Sequence, residues 1–348
     1  MLTKPDIPDE LIISRLQEEY GLQVASLTFL PLGADMGTAV YRVVGDDGTA
    51  NFLKLRKGFD EITVKVPLFL KSQGIKEIIS PIETKSKRGW ADFGEYKMIL
   101  YPFIDGKNGF EIELTDHQRR ILGAALKAIH SAQIPPELKT QIPQEMFSPL
   151  FRENMKSFQE QVESLTYDEP VAAKLAEFIK LRQDEITQLI ARAEQLLSEV
   201  QSKPLDFVLC HTDIHGGNIL IGMDGQLAEH PDGVLVPTSN IYIVDCDAPL
   251  LAPKERDLMF IGGGIDEIWK SKQDESVFYD GYGKTEINLA ALAYYRYERI
   301  IQDLVAFCEQ LLLSDEGGSD REQAYRWFTS NFEAGSTIEI ADSTYRKI

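Results

Sequence analysis

The stretch from residue 207 to 247 is where residue types and spacing suggest chemistry. An apolar run, Phe207-Val208-Leu209, leads into His211-x-Asp213-x-x-x-x-Asn218. A second apolar run, Ile243-Val244, ends on Asp245-Cys246-Asp247, and Asp245 stands twenty-seven residues after Asn218. The oxygens of Asn218 and Asp245 are hard ligands of the kind magnesium takes, and phosphoryl transfer needs such an ion against its phosphate oxygens. It also needs a carboxylate beside the acceptor hydroxyl, to orient it and take its proton, and Asp213 has the place for that. Alone, Asp213 would read as an ordinary loop cap; with Asn218 and a strand-end Asp it reads as chemistry.

The pattern of loop Asp, Asn five residues later and strand-end Asp resembles the catalytic core of protein-kinase-like phosphotransferases. The first half of the chain should then hold a nucleotide. Phe52-Leu53-Lys54-Leu55 places a lysine in mid-strand, where a buried charge needs a partner. The following helix offers Glu61, with Asp60 as competitor, and a Lys54–Glu61 pair aimed at the α- and β-phosphates is the kinase arrangement. A lysine on an edge strand, pointing to solvent, is the plainer alternative. Gly33 and Gly37, in Leu32-Gly33-Ala34-Asp35-Met36-Gly37-Thr38, could cover phosphates with backbone amides, although two glycines at that spacing also make an ordinary turn. Tyr101-Pro102-Phe103-Ile104 would present backbone groups to a purine edge. Pro102 has no N–H, so the donor falls to a neighbour such as Phe103.

These residues need elements to hold them. Residues 8–20 read as an amphipathic helix, 23–30, 38–45 and 50–56 as strands, 59–73 as a helix ended by Gly74, and 82–87 and 94–101 as two further strands. Past the break at 101–106 the pattern turns helical, over 115–131 with a capping signal at Thr115, then 169–200, 286–313 and 320–332. The last dozen residues read as a loose tail. The expectation is an α+β, bilobal, protein-kinase-like fold: an N-terminal antiparallel sheet lobe with one main helix over 1–100, a hinge at 101–106, and a larger, mostly helical C-terminal lobe over 107–348. Two such lobes commonly hold a ligand between them.

Composition bounds the partners. The chain of 348 residues has a net charge of −19, which argues against nucleic acid and anionic membranes as partners. Residues 1–100 carry a net −1 and residues 101–348 a net −18, with −9 within 201–290. Placed beside Asp213, Asp245, Asp247 and Asp257, that acidity suits a cationic acceptor. Cys210, Cys246 and Cys308 have no metal or disulfide spacing. The first residues carry acids where a signal sequence would carry a basic flank and an apolar run, and no stretch is apolar enough to suggest a membrane span, so the expectation is a cytoplasmic monomer or homodimer.

The full loop, His211-Thr212-Asp213-Ile214-His215-Gly216-Gly217-Asn218, is similar to the HxDxHxxN hallmark of the aminoglycoside phosphotransferase family. The segments Ala252–Gly264, Tyr294–Arg299 and Gly74–Ile79 resemble its spectinomycin kinases, so the likeness covers most of the chain. The resemblance implies transfer of the γ-phosphate of ATP or GTP, with Mg2+, to a hydroxyl of an aminocyclitol antibiotic such as spectinomycin. It puts the base on Asp213, the magnesium ligands on Asn218 and Asp245, and the nucleotide clamp on Lys54. His215, Asp257, Tyr294 and Glu298 are candidates for the acceptor wall; His215 could instead bond loop backbone, and Asp257, Tyr294 and Glu298 could cap or form salt bridges, while Asp247, two residues past Asp245 and on the same face of an extended strand, could assist the metal or meet an amine of the substrate. The sequence departs from the family at Cys246, where Trp is common, and in a longer polar hairpin from Met223 to Asn240 that reads as a surface loop. The alternatives are a kinase of choline, a sugar or an amino alcohol, a protein kinase, and a non-catalytic nucleotide-binding protein.

Overall fold

In the computed structural model, residues 4–32, 37–222, 227–229, 235–237, 240–265, 268–269, 271–314 and 318–348 are described. The first helix, α1 (Asp9–Tyr20), stops at Gly21, whose φ of 75° lets its N–H reach back to the Gln17 carbonyl. Three strands follow, β1 (Val24–Leu30), β2 (Thr38–Gly45) and β3 (Ala50–Arg56), then α2 (Ile62–Ser72), β4 (Ala91–Phe93) and β5 (Tyr96–Pro102). They form one antiparallel sheet in the order β1-β2-β3-β5-β4.

Period-two alternation decides what each face of this sheet carries. Leu53 and Leu55 of β3 are fully buried with Ile12 and Leu16 of α1 and with Tyr41, Met98 and Leu100. Each such side chain contributes about 1.5–3 kcal/mol by leaving water. With the leucines committed to that core, Lys54 and Arg56 must lie on the other face.

After β6 (Gly106–Asn108) come α3 (Asp116–His130), α4 (Pro136–Lys139), α5 (Leu150–Ser164), α6 (Pro170–Leu181) and α7 (Gln183–Gln201). Next are β7 (Val208–Cys210), β8 (Ile219–Gly222), β9 (Leu227–Glu229), β10 (Leu235–Pro237), β11 (Ile241–Ile243) and β12 (Leu250–Ala252). The chain closes with α8 (Glu255–Leu258), α9 (Lys272–Tyr282), α10 (Leu289–Leu312), α11 (Ser319–Ser330) and α12 (Thr337–Tyr345). Two compact units result: Met1–Pro143 with Asp213–Leu250 and Val277–Gly283, and Gln144–Thr212 with Leu251–Ser276 and Lys284–Ile348. The first holds the five-stranded sheet and a small sheet in the order β11-β8-β6. In the second, α10 lies against α5, α7, α11 and α12.

The α+β, kinase-like layout is as expected, but several elements differ. Residues 82–87 are not a strand: Thr84 and Lys87 close a turn, and the fourth strand is Ala91–Phe93. The stretch 169–200 is two helices, broken at Arg182. The expected tail is helix α12, which buries Ile338 and Ala341. Within the 223–240 insert, β9 and β10 pair antiparallel, and residues 223–226, 230–234, 238 and 239, His230 among them, lie outside the described residues. No helix among the described residues is long and apolar enough to cross a membrane.

Candidate active site

Strand register explains how residues far apart in sequence meet. β8 and β11 are antiparallel with Ile219 opposite Ile243. Asn218, just before β8, and Val244, just after β11, therefore share one end of the pair, where the Val244 N–H donates to the Asn218 carbonyl at 3.0 Å. The insert leaves from the opposite end, past Gly222 and Asn240. Residues 77–79 run parallel to Ile243: its N–H donates to the Glu77 carbonyl at 2.6 Å, and the Ile79 N–H donates to its carbonyl at 3.0 Å.

The loop's side chains converge on Asp213. Asn218 Nδ2 donates to the Asp213 carbonyl at 2.9 Å and to Asp213 Oδ2 at 3.1 Å. His215 Nδ1 accepts from the Gly217 N–H at 3.0 Å, so the ring's proton belongs on Nε2, which lies 3.4 Å from Asp213 Oδ2. Phe110 stacks on the His215 ring at 5.5 Å. A Cβ on Gly217 would stand 2.8 Å from both rings, which is why this position has no side chain. His215 thus bonds loop backbone and braces the carboxylate.

Lys54 reaches this end of the hairpin from β3. Its Nζ donates to Asp245 Oδ1 at 2.8 Å and Asp247 Oδ2 at 2.5 Å. Burial acts to lower the ammonium pKa, and the charges of Asp245 and Asp247 outweigh it and raise it. Burial pushes the Asp247 carboxyl above its ordinary value despite Lys54. Arg56 Nη1, unnoticed in the sequence, stands 2.9 Å from Asp247 Oδ2. Glu61 does not pair with Lys54. It sits at the start of α2, one turn before Lys65, and bonds that ammonium at 2.7 Å. Asp60 caps the Ile62 N–H at 3.0 Å.

The expected hinge donor is also engaged elsewhere. The β3–β5 ladder runs past Pro102, and the Phe103 N–H donates to the Ala50 carbonyl at 3.2 Å. The Phe103 ring lies under the Arg42 guanidinium at 5.0 Å. Burial, and then the charges of Asp247, Cys246 and Asp245, push the Tyr101 phenol well above its usual range. Gly37 immediately precedes β2, its carbonyl accepting from the Lys57 N–H at 2.9 Å, and Gly33 lies outside the described residues.

The second unit corrects the expected acceptor wall. Asp257 has no exposed surface, and its two oxygens accept the N–H groups of His211 and Thr212 at 2.9 and 2.6 Å. It anchors the start of the loop and does not line an open wall. Thr212 needs an anchor, because its φ is +77°, a costly conformation for a β-branched residue. Asp245 is also left-handed, at φ +63°. Glu298 is paired with Arg152, Tyr294 accepts from the same guanidinium at 3.4 Å, and burial raises the Glu298 carboxyl pKa. Tyr294 is almost fully buried. The acids singled out for a cationic acceptor therefore have local partners, so charge alone does not choose the substrate. Trp327 is exposed and Trp269 is buried.

Asn218 and Asp245 offer the hard oxygens a divalent cation takes: the hairpin bonds Asn218 to Val244, the residue before Asp245, the Asn218 amide nitrogen is turned to Asp213, and Asp245 Oδ1 accepts from Lys54.

The profile of the phosphotransferase enzyme family matches residues 65–228. Spectinomycin phosphotransferase in complex with ADP and spectinomycin is 34% identical over 99% of this chain and 100% of that chain, with a TM-score of 0.88. Its AMP-bound complex is 33% identical over 96% of this chain and 98% of that chain, with a TM-score of 0.83. A choline kinase from Streptococcus pneumoniae has the same fold at 16% identity, over 96% of this chain and 99% of that chain, with a TM-score of 0.56. No curated protein sequence matches.

Proposed function

The chain belongs to the phosphotransferase enzyme family and is a small-molecule kinase of it, and from that premise we propose that it transfers the γ-phosphate of ATP or GTP to a hydroxyl of an aminocyclitol antibiotic of the spectinomycin type. The observation that carries the acceptor is whole-chain similarity to the enzyme whose complex holds ADP and spectinomycin. Chain residues 1–100 serve as the nucleotide lobe in this reading, and residues 101–106 as its connector.

Asp213 acts as the base. A hydrogen bond from Asn218 orients its carboxylate, with His215 Nε2 3.4 Å away, and the carboxylate accepts the acceptor hydroxyl's hydrogen bond and takes its proton as oxygen attacks phosphorus. Lys54 offers its ammonium to the α- and β-phosphates. A bound magnesium ion, held by Asn218 and Asp245, would neutralise charge on the β- and γ-phosphates. His215, beside Asp213, is the acceptor-side residue nearest to this chemistry.

A panel assay tests the acceptor. Purified protein with ATP and Mg2+ is given spectinomycin and other aminocyclitols in one arm, and choline, sugars and amino alcohols in the other. A product heavier by one phosphoryl group in the first arm supports the proposal. Product only in the second arm would assign the chain to metabolite phosphorylation, as in the choline kinase that shares its fold.

A further inference from the structure

Lys54 is not the only cation on its face of β3. Arg56 follows it by two residues, so both side chains project the same way. Both lie against Asp247 Oδ2, Lys54 Nζ at 2.5 Å and Arg56 Nη1 at 2.9 Å. The Arg56 side chain is 18% exposed, and its Nε and Nη1 are buried. The contact with Asp247 is an ion pair whose angle makes no hydrogen bond, and neither Nε nor Nη1 has a hydrogen-bond partner among the described residues.

A buried guanidinium with N–H groups unused is costly, and native proteins rarely keep one without a reason. Its planar fork suits the tetrahedral oxygens of phosphate better than an ammonium does. The local charges balance, with Lys54 and Arg56 set against Asp245 and Asp247. A guanidinium needed only for that balance would be expected to use its N–H groups on the carboxylate.

We infer that Arg56 is a second phosphate-binding cation of the nucleotide site, selecting nucleoside di- and triphosphates over monophosphates, and that Asp247 holds Lys54 and Arg56 side by side. This rests on the nucleotide reading above and adds a residue and a selectivity to it. Arg56 supplies N–H groups to phosphates beyond the α-phosphate, so AMP gains little from it and ADP and ATP gain much.

The test is direct binding of AMP, ADP and ATP, by calorimetry, to the wild-type protein and to Arg56→Gln and Arg56→Lys. Wild-type binding of ADP and ATP checks the nucleotide reading first, and failure there sinks that reading whatever Arg56 does. Given wild-type binding, Arg56→Gln should weaken ADP and ATP about tenfold or more and leave AMP within about twofold. Arg56→Lys should recover part of the loss, because charge returns without the fork. Equal weakening of all three nucleotides would make Arg56 a prop for Asp247, and unchanged affinities would give it no role; either overturns the inference. If Arg56→Gln fails to fold, Arg56→Lys decides alone: reduced ADP and ATP affinity with unchanged AMP supports the assignment, and any other pattern ends it.

Discussion

Replacing Asp257 should damage the loop that carries Asp213, although Asp257 itself sits at no catalytic position. Its carboxylate takes two backbone N–H groups, from His211 and Thr212, at a site with no exposed surface. In Asp257→Ala both donors stay buried without that acceptor, at about 1–3 kcal/mol each, so a loss of about 2–6 kcal/mol is expected. Thr212 adds to this. Its φ of +77° costs about 1–3 kcal/mol and persists only while its surroundings insist on it. Without the anchor, Thr212 can relax toward an ordinary conformation, and Asp213 is the next residue along the chain. A displacement of about 1 Å at a catalytic group costs about 10²-fold in rate. Asp257→Asn is the milder probe, because its amide can accept one N–H but opposes the other with a donor. Denaturant titration gives stability, and steady-state phosphate transfer gives rate, measured where each variant is fully folded. The expected order in both is wild type, then Asp257→Asn, then Asp257→Ala. Wild-type stability and rate in Asp257→Ala would refute the anchoring role.

Gly217→Ala should lower phosphate transfer more than stability, since its Cβ would collide with the His215 and Phe110 rings that brace Asp213; turnover set against unfolding midpoint checks this. Glu169→Ala should cost about 0.5–2 kcal/mol, as the carboxylate caps the Ala172 N–H and bonds Arg321. Burial alone would raise the Glu169 pKa, but its bonds to Arg321 and the helix start prevail and hold it below the ordinary carboxylate value. The folded protein therefore binds that proton less readily than the unfolded chain. The contribution of Glu169 is complete above the ordinary value and is lost as pH falls through the lowered one. Acid unfolding of Glu169→Gln should show a smaller decline across that window, and an unchanged slope would contradict the assignment.

The parts of the candidate site that the fold brings together are legible in the sequence where their signals are local. The loop pattern, the strand-end Asp and a lysine flanked by leucines are short motifs, and the leucines' burial forces Lys54 onto the site face. What escaped depends on distant pairing. The partners of Lys54 lie 191 and 193 residues away, while Glu61 stands close in sequence and is captured by Lys65 one helical turn on. Because Pro102 lacks an N–H, the sequence points to the Phe103 N–H at a purine edge, but the ladder continues far enough to use it. Asp257 looks like any acid in a charged segment, and only the fold shows that its oxygens face two amides. The −18 of residues 101–348 likewise says little about substrate once Asp245 and Asp247 are found against Lys54 and Arg56, and Glu298 against Arg152.

If Asp213 takes the proton from the acceptor hydroxyl, as proposed, nucleotide should bind independently of it. The most direct measurement is phosphate transfer by Asp213→Ala together with its affinity for ATP. Transfer should be abolished while ATP binds within a few-fold of wild type. Transfer near the wild-type rate by a variant lacking that carboxylate would contradict that role for Asp213.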